Sequence, residues 1–166
     1  MQELDKNILK VSLEYLYWFS RFEYTLKENG HLKSNQIGNR AIANWDSFRD
    51  EYLERYSPSN DAYKLIELHP KQQIIGPNNS VNHWEEANIS HCSKPLCKVI
   101  VMLKTVRNNL FHGGKHYSKS DEEKKRDLKL VELSLNVIKE IANINSFGGE
   151  VFEPSQDFDL NEIVFN

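Results

Sequence analysis

Three long stretches of this chain repeat apolar residues at spacings of three and four, and that period constrains the fold more than any single residue. Ile8, Val11, Tyr15, Trp18, Phe22 and Leu26 line one stripe between about Asp5 and Glu28, widened by Leu9, Leu13, Leu16 and Phe19. Leu96, Ile100, Leu103, Val106 and Leu110 make a second, with Val99 and Met102 beside it. Leu128, Val131, Leu135, Ile138 and Ala142 make a third, broadened by Leu130, Val137 and Ile141. A period near 3.6 with a broad apolar face belongs to helices buried along one side. Punctuation agrees: Asn29-Gly30 is a stop, Ser93 and Pro95 suit a helix start, Ser120 with Glu123 fits a capping box, and Phe147-Gly148-Gly149 closes the last stripe.

Between the first two stripes the pattern is shorter. Residues 30–40 are a polar connection, after which Ala41, Trp45, Phe48, Tyr52 and Tyr56 mark another amphipathic helix, ended by Ser57-Pro58-Ser59-Asn60. Asn60 can cap a short helix through Ala62, Leu65, Ile66 and Leu68, closed by Pro70. Residues 70–93 have no sustained period, yet Ile74, Ile75, Val81 and Trp84 are too apolar for a free linker. This insertion is expected to be ordered, with an extended pair across Gly76-Pro77-Asn78-Asn79. His83 and Trp84 could offer RNA a stacking surface, or Trp84 could simply pin the loop to the core. The expected architecture is all-α, an up-and-down bundle of four main helices with a short extra helix, over residues 1–149. Residues 150–166 are a tail mixing acid with apolar side chains, suited to docking on the body, on a second subunit, or across a basic site.

Hydrophobic residues at 39% and charged residues at 27% are those of an ordinary single-domain globular chain, which excludes disorder throughout. The start lacks a basic segment followed by an apolar run, and no stretch reaches the length of a membrane span, so a cytoplasmic location without membrane contact is expected. Cys92 and Cys97 do not make a disulfide framework and are expected as reduced thiols. With His83 and His91 they have the residue types of a zinc set. The spacing matches no known finger or ribbon, and His91 directly beside Cys92 is awkward for one tetrahedral ion. No metal and no cofactor are expected. The formal charge is −3, but the tail holds Glu150, Glu153, Asp157, Asp159 and Glu162 with no Lys or Arg, so the rest carries +2. Any grip on nucleic acid must therefore be local.

The chemistry-bearing stretch is Val106-Arg107-Asn108-Asn109-Leu110-Phe111-His112-Gly113-Gly114-Lys115-His116, where a helix is expected to end. Arginine is a permanently charged fork suited to phosphate oxygens, and histidine can take and give a proton near neutral pH. On a helix Asn108 and His112 share a face, while Arg107 lies about 140° from His112 and must reach round. His112 could alternatively serve as a histidine satisfying the carbonyls of the helix end. Lys115, His116 and Tyr117 extend the cluster as substrate-binding candidates. His112 and His116 are four apart, yet two glycines separate them and no acidic partner of the zincin type is present.

Arg107 and Asn108 followed by His112 resemble the R-x4-6-H signature of the HEPN superfamily, with a looser likeness at Pro70-Lys71-Gln72-Gln73 and Trp84. The resemblance implies a small all-α domain acting as a metal-independent RNA endonuclease in growth arrest or phage defence, restrained by an antitoxin or regulatory partner. It also implies that Glu23, on the first helix, belongs to the polar centre; read alone, Glu23 could be a solvated carboxylate or a partner for Arg21 or Lys27. HEPN toxins silenced by nucleotidylation carry R-x4-H-x-Y, and here Gly114 stands at the tyrosine position. Cleavage through the 2′-hydroxyl needs both a base and an acid, which a homodimer pairing two copies of His112 supplies. The alternative function is a non-catalytic HEPN-like module binding nucleotide, RNA or protein.

Overall fold

The computed structural model describes residues 3–80, 83–112 and 120–149, with His112 described by its backbone alone. The described chain is mostly helical. Helix α1 (Glu3–Glu28) is followed by α2 (Trp45–Tyr52), α3 (Asn60–Leu68), a hairpin of β1 (Lys71–Ile74) and β2 (His83–Glu86), α4 (Pro95–His112) and α5 (Asp121–Ala142). Among the described residues, no helix is long and apolar enough to cross a membrane.

The first stripe forms as its spacing requires, with Tyr15, Trp18, Phe19, Phe22 and Leu26 buried and the helix packed along α5. Each such side chain taken out of water contributes about 1.5–3 kcal/mol. Helix α1 stops where Gly30 adopts φ +81°, a conformation costly for other residues. Its N–H donates to Lys27 O at 3.1 Å and the next N–H, of His31, to Leu26 O at 2.8 Å, which satisfies two terminal carbonyls.

Helix α4 is the centre of the molecule. Leu96, Val99, Ile100, Met102, Leu103 and Val106 are buried on it, and it touches all four other helices and β1. It begins at Pro95 directly after Lys94, one residue later than a cap at Ser93 would place it. Helix α5 opens with the expected capping box: the Ser120 hydroxyl accepts from the Glu123 N–H, and the Glu123 carboxylate accepts from the Ser120 N–H at 2.9 Å.

Two expectations need correction. In place of four main helices the described residues form three long ones, of 26, 18 and 22 residues, and two short ones, of 8 and 9. The stripe from Ala41 to Tyr56 is not one helix, because the Asn44 side chain accepts from Ser47 N at 3.2 Å and sets the start at Trp45. Ala41 stays outside, exposed, and Ala43 instead bridges to Leu32. Tyr56 reaches the core through a turn and donates its hydroxyl to Glu140 Oε1 at 2.6 Å. In α3 the cap is Ser59, whose hydroxyl accepts from Ala62 N, and Asn60 is already helical.

The insertion is ordered and contains the expected antiparallel pair, with Lys71 opposite Glu86 and Ile74 opposite His83. Asn78 and Asn79 turn it with φ of 57° and 59°. A side chain at Gly76 would collide with the His83 imidazole, so the hairpin closes tightly there. Its base is tied down: Ala87 N donates to Pro70 O, and His69 Nε2 lies 2.7 Å from Ala87 O. Arg126 of α5 donates to Leu68 O at 2.8 Å.

Candidate functional site

The last turns of α4 emerge from the core between α1 and the hairpin, and Arg107 is the residue at that boundary. Leu103 and Val106 before it are buried; Arg107 is half-buried and Asn108 exposed. The Arg107 guanidinium carbon stands 4.3 Å from the ring centre of Phe111, one turn further on, and 5.7 Å from that of Phe19 on α1. A guanidinium at these distances is attracted by the ring faces, and shielding from water strengthens the effect. Nη1 donates to Asn108 Oδ1 at 3.1 Å, so the fork does reach round toward the face that Asn108 shares with His112. Nε is buried and has no hydrogen-bond partner among the described residues.

On α1, Tyr15, Phe19 and Glu23 are spaced four apart and so share one face, and the Phe19 ring is the one that lies over the guanidinium. Tyr15 is wholly buried and donates to Leu103 O at 2.7 Å, one turn before Arg107. Burial pushes its hydroxyl pKa well up, the Arg107 charge pulls it down, and the Glu23 charge raises it. Both charges are thus felt at one phenol. Glu23 is half-buried, and its carboxylate accepts from the indole Nε1 of Trp45 at 3.0 Å. Trp45 in turn packs on Phe19 and Phe22, with ring centres 5.1 and 4.9 Å away. Glu23 is thus held by an indole, and it and Arg107 both act on the Tyr15 phenol.

His112 ends α4, and helical geometry through it puts its Cα about 140° from Arg107 and one turn beyond Asn108. Lys115, His116 and Tyr117 lie outside the described residues. Two participants escaped the sequence reading. Phe111 is 59% exposed while stacked on Arg107, a pairing legible only in the i, i+4 spacing. Asn109 donates from Nδ2 to Lys71 O at 2.8 Å and so ties the end of α4 to β1. Chemically, the arrangement presents a fixed cation and an exposed amide at the end of a rigid helix.

The thiols are not free. Cys92 and Cys97 are joined by a disulfide, with Cα atoms 5.4 Å apart, which corrects the expectation of two reduced cysteines. The turn before α4 brings them together: Cys92 N donates to Ile89 O at 2.9 Å, and Cys97 lies in the first turn of the helix. In comparisons with known proteins, no family model, curated protein or solved structure matches this chain.

Proposed function

We propose that the chain is a metal-independent RNA endonuclease of the HEPN type, working as a homodimer. The observation that carries this reading is the fixed Arg107 guanidinium, stacked on Phe111, near Phe19 and bonded to Asn108, at the end of the helix that carries His112. In the proposed reaction one His112 takes the 2′-hydroxyl proton of RNA, and its copy in the second subunit protonates the departing 5′-oxygen. Arg107 neutralises charge developing on the phosphoryl oxygens, and Asn108 orients the phosphate or the imidazole. A cation already shielded from water and immobilised needs little reorganisation to do this. Lys115, His116 and Tyr117 would hold substrate, and Glu23 would act indirectly, through the field at Tyr15 and Arg107. Products are a 2′,3′-cyclic phosphate and a 5′-hydroxyl, and DNA is inert. The setting is that of a toxin or defence effector restrained by an antitoxin or regulatory protein, inside the cell.

One observation favours a second reading. The Arg107 face is covered by Phe111 and Nη1 is occupied by Asn108, which equally suits a non-catalytic module that clamps a nucleotide or holds a dimer together. The substitutions Arg107→Ala and His112→Ala separate the two. An enzyme loses turnover by about a hundredfold or more while still assembling and binding RNA, the scale expected for removing a general acid–base. A structural clamp loses assembly or RNA binding together with any activity.

A further inference from the structure

Away from Arg107, at the opposite end of α4, His91, Cys92 and Cys97 bring one imidazole nitrogen and two sulfurs within 4.8 Å of one another. Among the described residues no other group of three or more His, Cys, Asp or Glu gathers this closely. The adjacency of His91 and Cys92 is no obstacle, because at the turn closed by Cys92 N and Ile89 O a ring nitrogen and both sulfurs already lie within 4.8 Å. Asn88 Oδ1 fixes the preceding loop by accepting from Ser90 N at 2.9 Å and Ser90 Oγ at 2.8 Å. Both sulfurs are nearly buried, while His91 is exposed at the mouth. Cys97 is the third residue of α4, where unpaired N–H groups and the helix dipole favour a thiolate.

We propose that His91, Cys92 and Cys97 form a thiolate site for a soft divalent cation, zinc above all, available once a dithiol reductant has opened the Cys92–Cys97 disulfide. In the opening step a reductant thiolate attacks one sulfur and forms a mixed disulfide. The reductant's second thiol then displaces it, leaving two cysteine thiols and the cyclic oxidised reductant, two electrons having passed. Binding then releases the two thiol protons to solvent, while the neutral imidazole donates its lone pair. Thiolate and imidazole are the donors that zinc prefers, and a Cα separation of 5.4 Å lets both sulfurs reach one ion at about 2.3 Å. Three protein ligands leave a fourth position for water. The same three residues are thus a covalent staple in an oxidising compartment and a metal site in a reducing one.

The test uses the full chain, reduced with a dithiol, freed of it by anaerobic desalting, and titrated with Co2+ and then Zn2+. The reduced wild type should develop thiolate-to-cobalt charge-transfer absorption that zinc abolishes, and the oxidised chain should develop none. Cys97→Ser should lose the band. His91→Ala, at an exposed position that leaves folding intact, should shift the cobalt spectrum and weaken binding. Absence of the band in the reduced wild type overturns the proposal, as does a spectrum and affinity unchanged in His91→Ala. The second variant keeps the test decisive even where Cys97→Ser fails to fold.

Discussion

Arg107 and Phe111 show how a single side chain can stack on another and hold it in place without being part of the core. Phe111 is largely exposed, so Phe111→Ala should leave the thermal midpoint close to that of wild type. It removes a cation–π contact of about 0.5–1 kcal/mol from Arg107, and RNA cleavage should fall in proportion. Equal cleavage by the variant would show that Phe111 does not position the guanidinium. His31 is the other residue whose surroundings set its behaviour. It is 4% exposed, its Nδ1 is 2.9 Å from Ser47 Oγ, and its ring packs against Phe48, Tyr52 and Phe147. Burial pushes its pKa below the ordinary 6.5, and Glu51, 3.8 Å away, offsets this only in part. The unfolded chain then binds the proton at a pH where the folded chain does not. Stability from the neutral imidazole is complete above about 6.5 and is lost as pH falls below it. The urea midpoint should therefore drop between about pH 7.5 and pH 5.5, and His31→Asn should flatten that slope. An identical slope in the variant would remove His31 from the account. That Arg107 and Asn108 lie near the end of a helix was legible in the sequence, because the apolar period before them and the glycines after His112 mark that end. His31 was not, since a histidine in a polar connection gives no sign that three rings will close over it.

Among the elements, the long helices were legible and the short ones only in part, for one physical reason. Where a broad apolar stripe runs for several turns the helix follows it, as in α1, α4 and α5, and Ser120 with Glu123 marked the start of α5 correctly. Over eight or nine residues, one side-chain cap decides the boundary, and Asn44 and Ser59 took that role ahead of the expected positions. The end of α5 shows the same limit. The helix stops at Ala142, and a single turn, Ile144–Ser146, carries Phe147 back beneath α1 and α2. There it is buried with ring centres 4.8 Å from Phe48 and 5.6 Å from Phe22. What read as a stop signal is a core residue. Phe147→Ala should cost about 3–5 kcal/mol in chemical denaturation. A loss below about 1 kcal/mol would mean that this aromatic layer collapses without it.

At the scale of the molecule, α4 joins a buried half to the end that holds the candidate site. Its first turns carry the disulfide and the core, and its last two turns carry Arg107, Asn108 and His112, so the candidate site is mounted on a helix that touches all four other helices of the described residues. Placement on a packed helix gives a catalytic group little freedom to drift, which is what charge stabilisation in a transition state requires. That the chain is mostly helical could be read from the periodicity; that one helix is surrounded by all the others could not, because periodicity reports a buried face without naming what covers it. The proposed homodimer answers a chemical need for two imidazoles, and Phe111 and Asn108 are exposed near the end of the helix that carries His112. The most direct measurement is cleavage of mixed RNA in EDTA by the wild-type chain, with product ends determined and oligomeric mass recorded beside His112→Ala. The account predicts 2′,3′-cyclic phosphate ends from a dimeric wild type and none from an equally dimeric variant. Cleavage that EDTA abolishes, or that survives in His112→Ala, would contradict it.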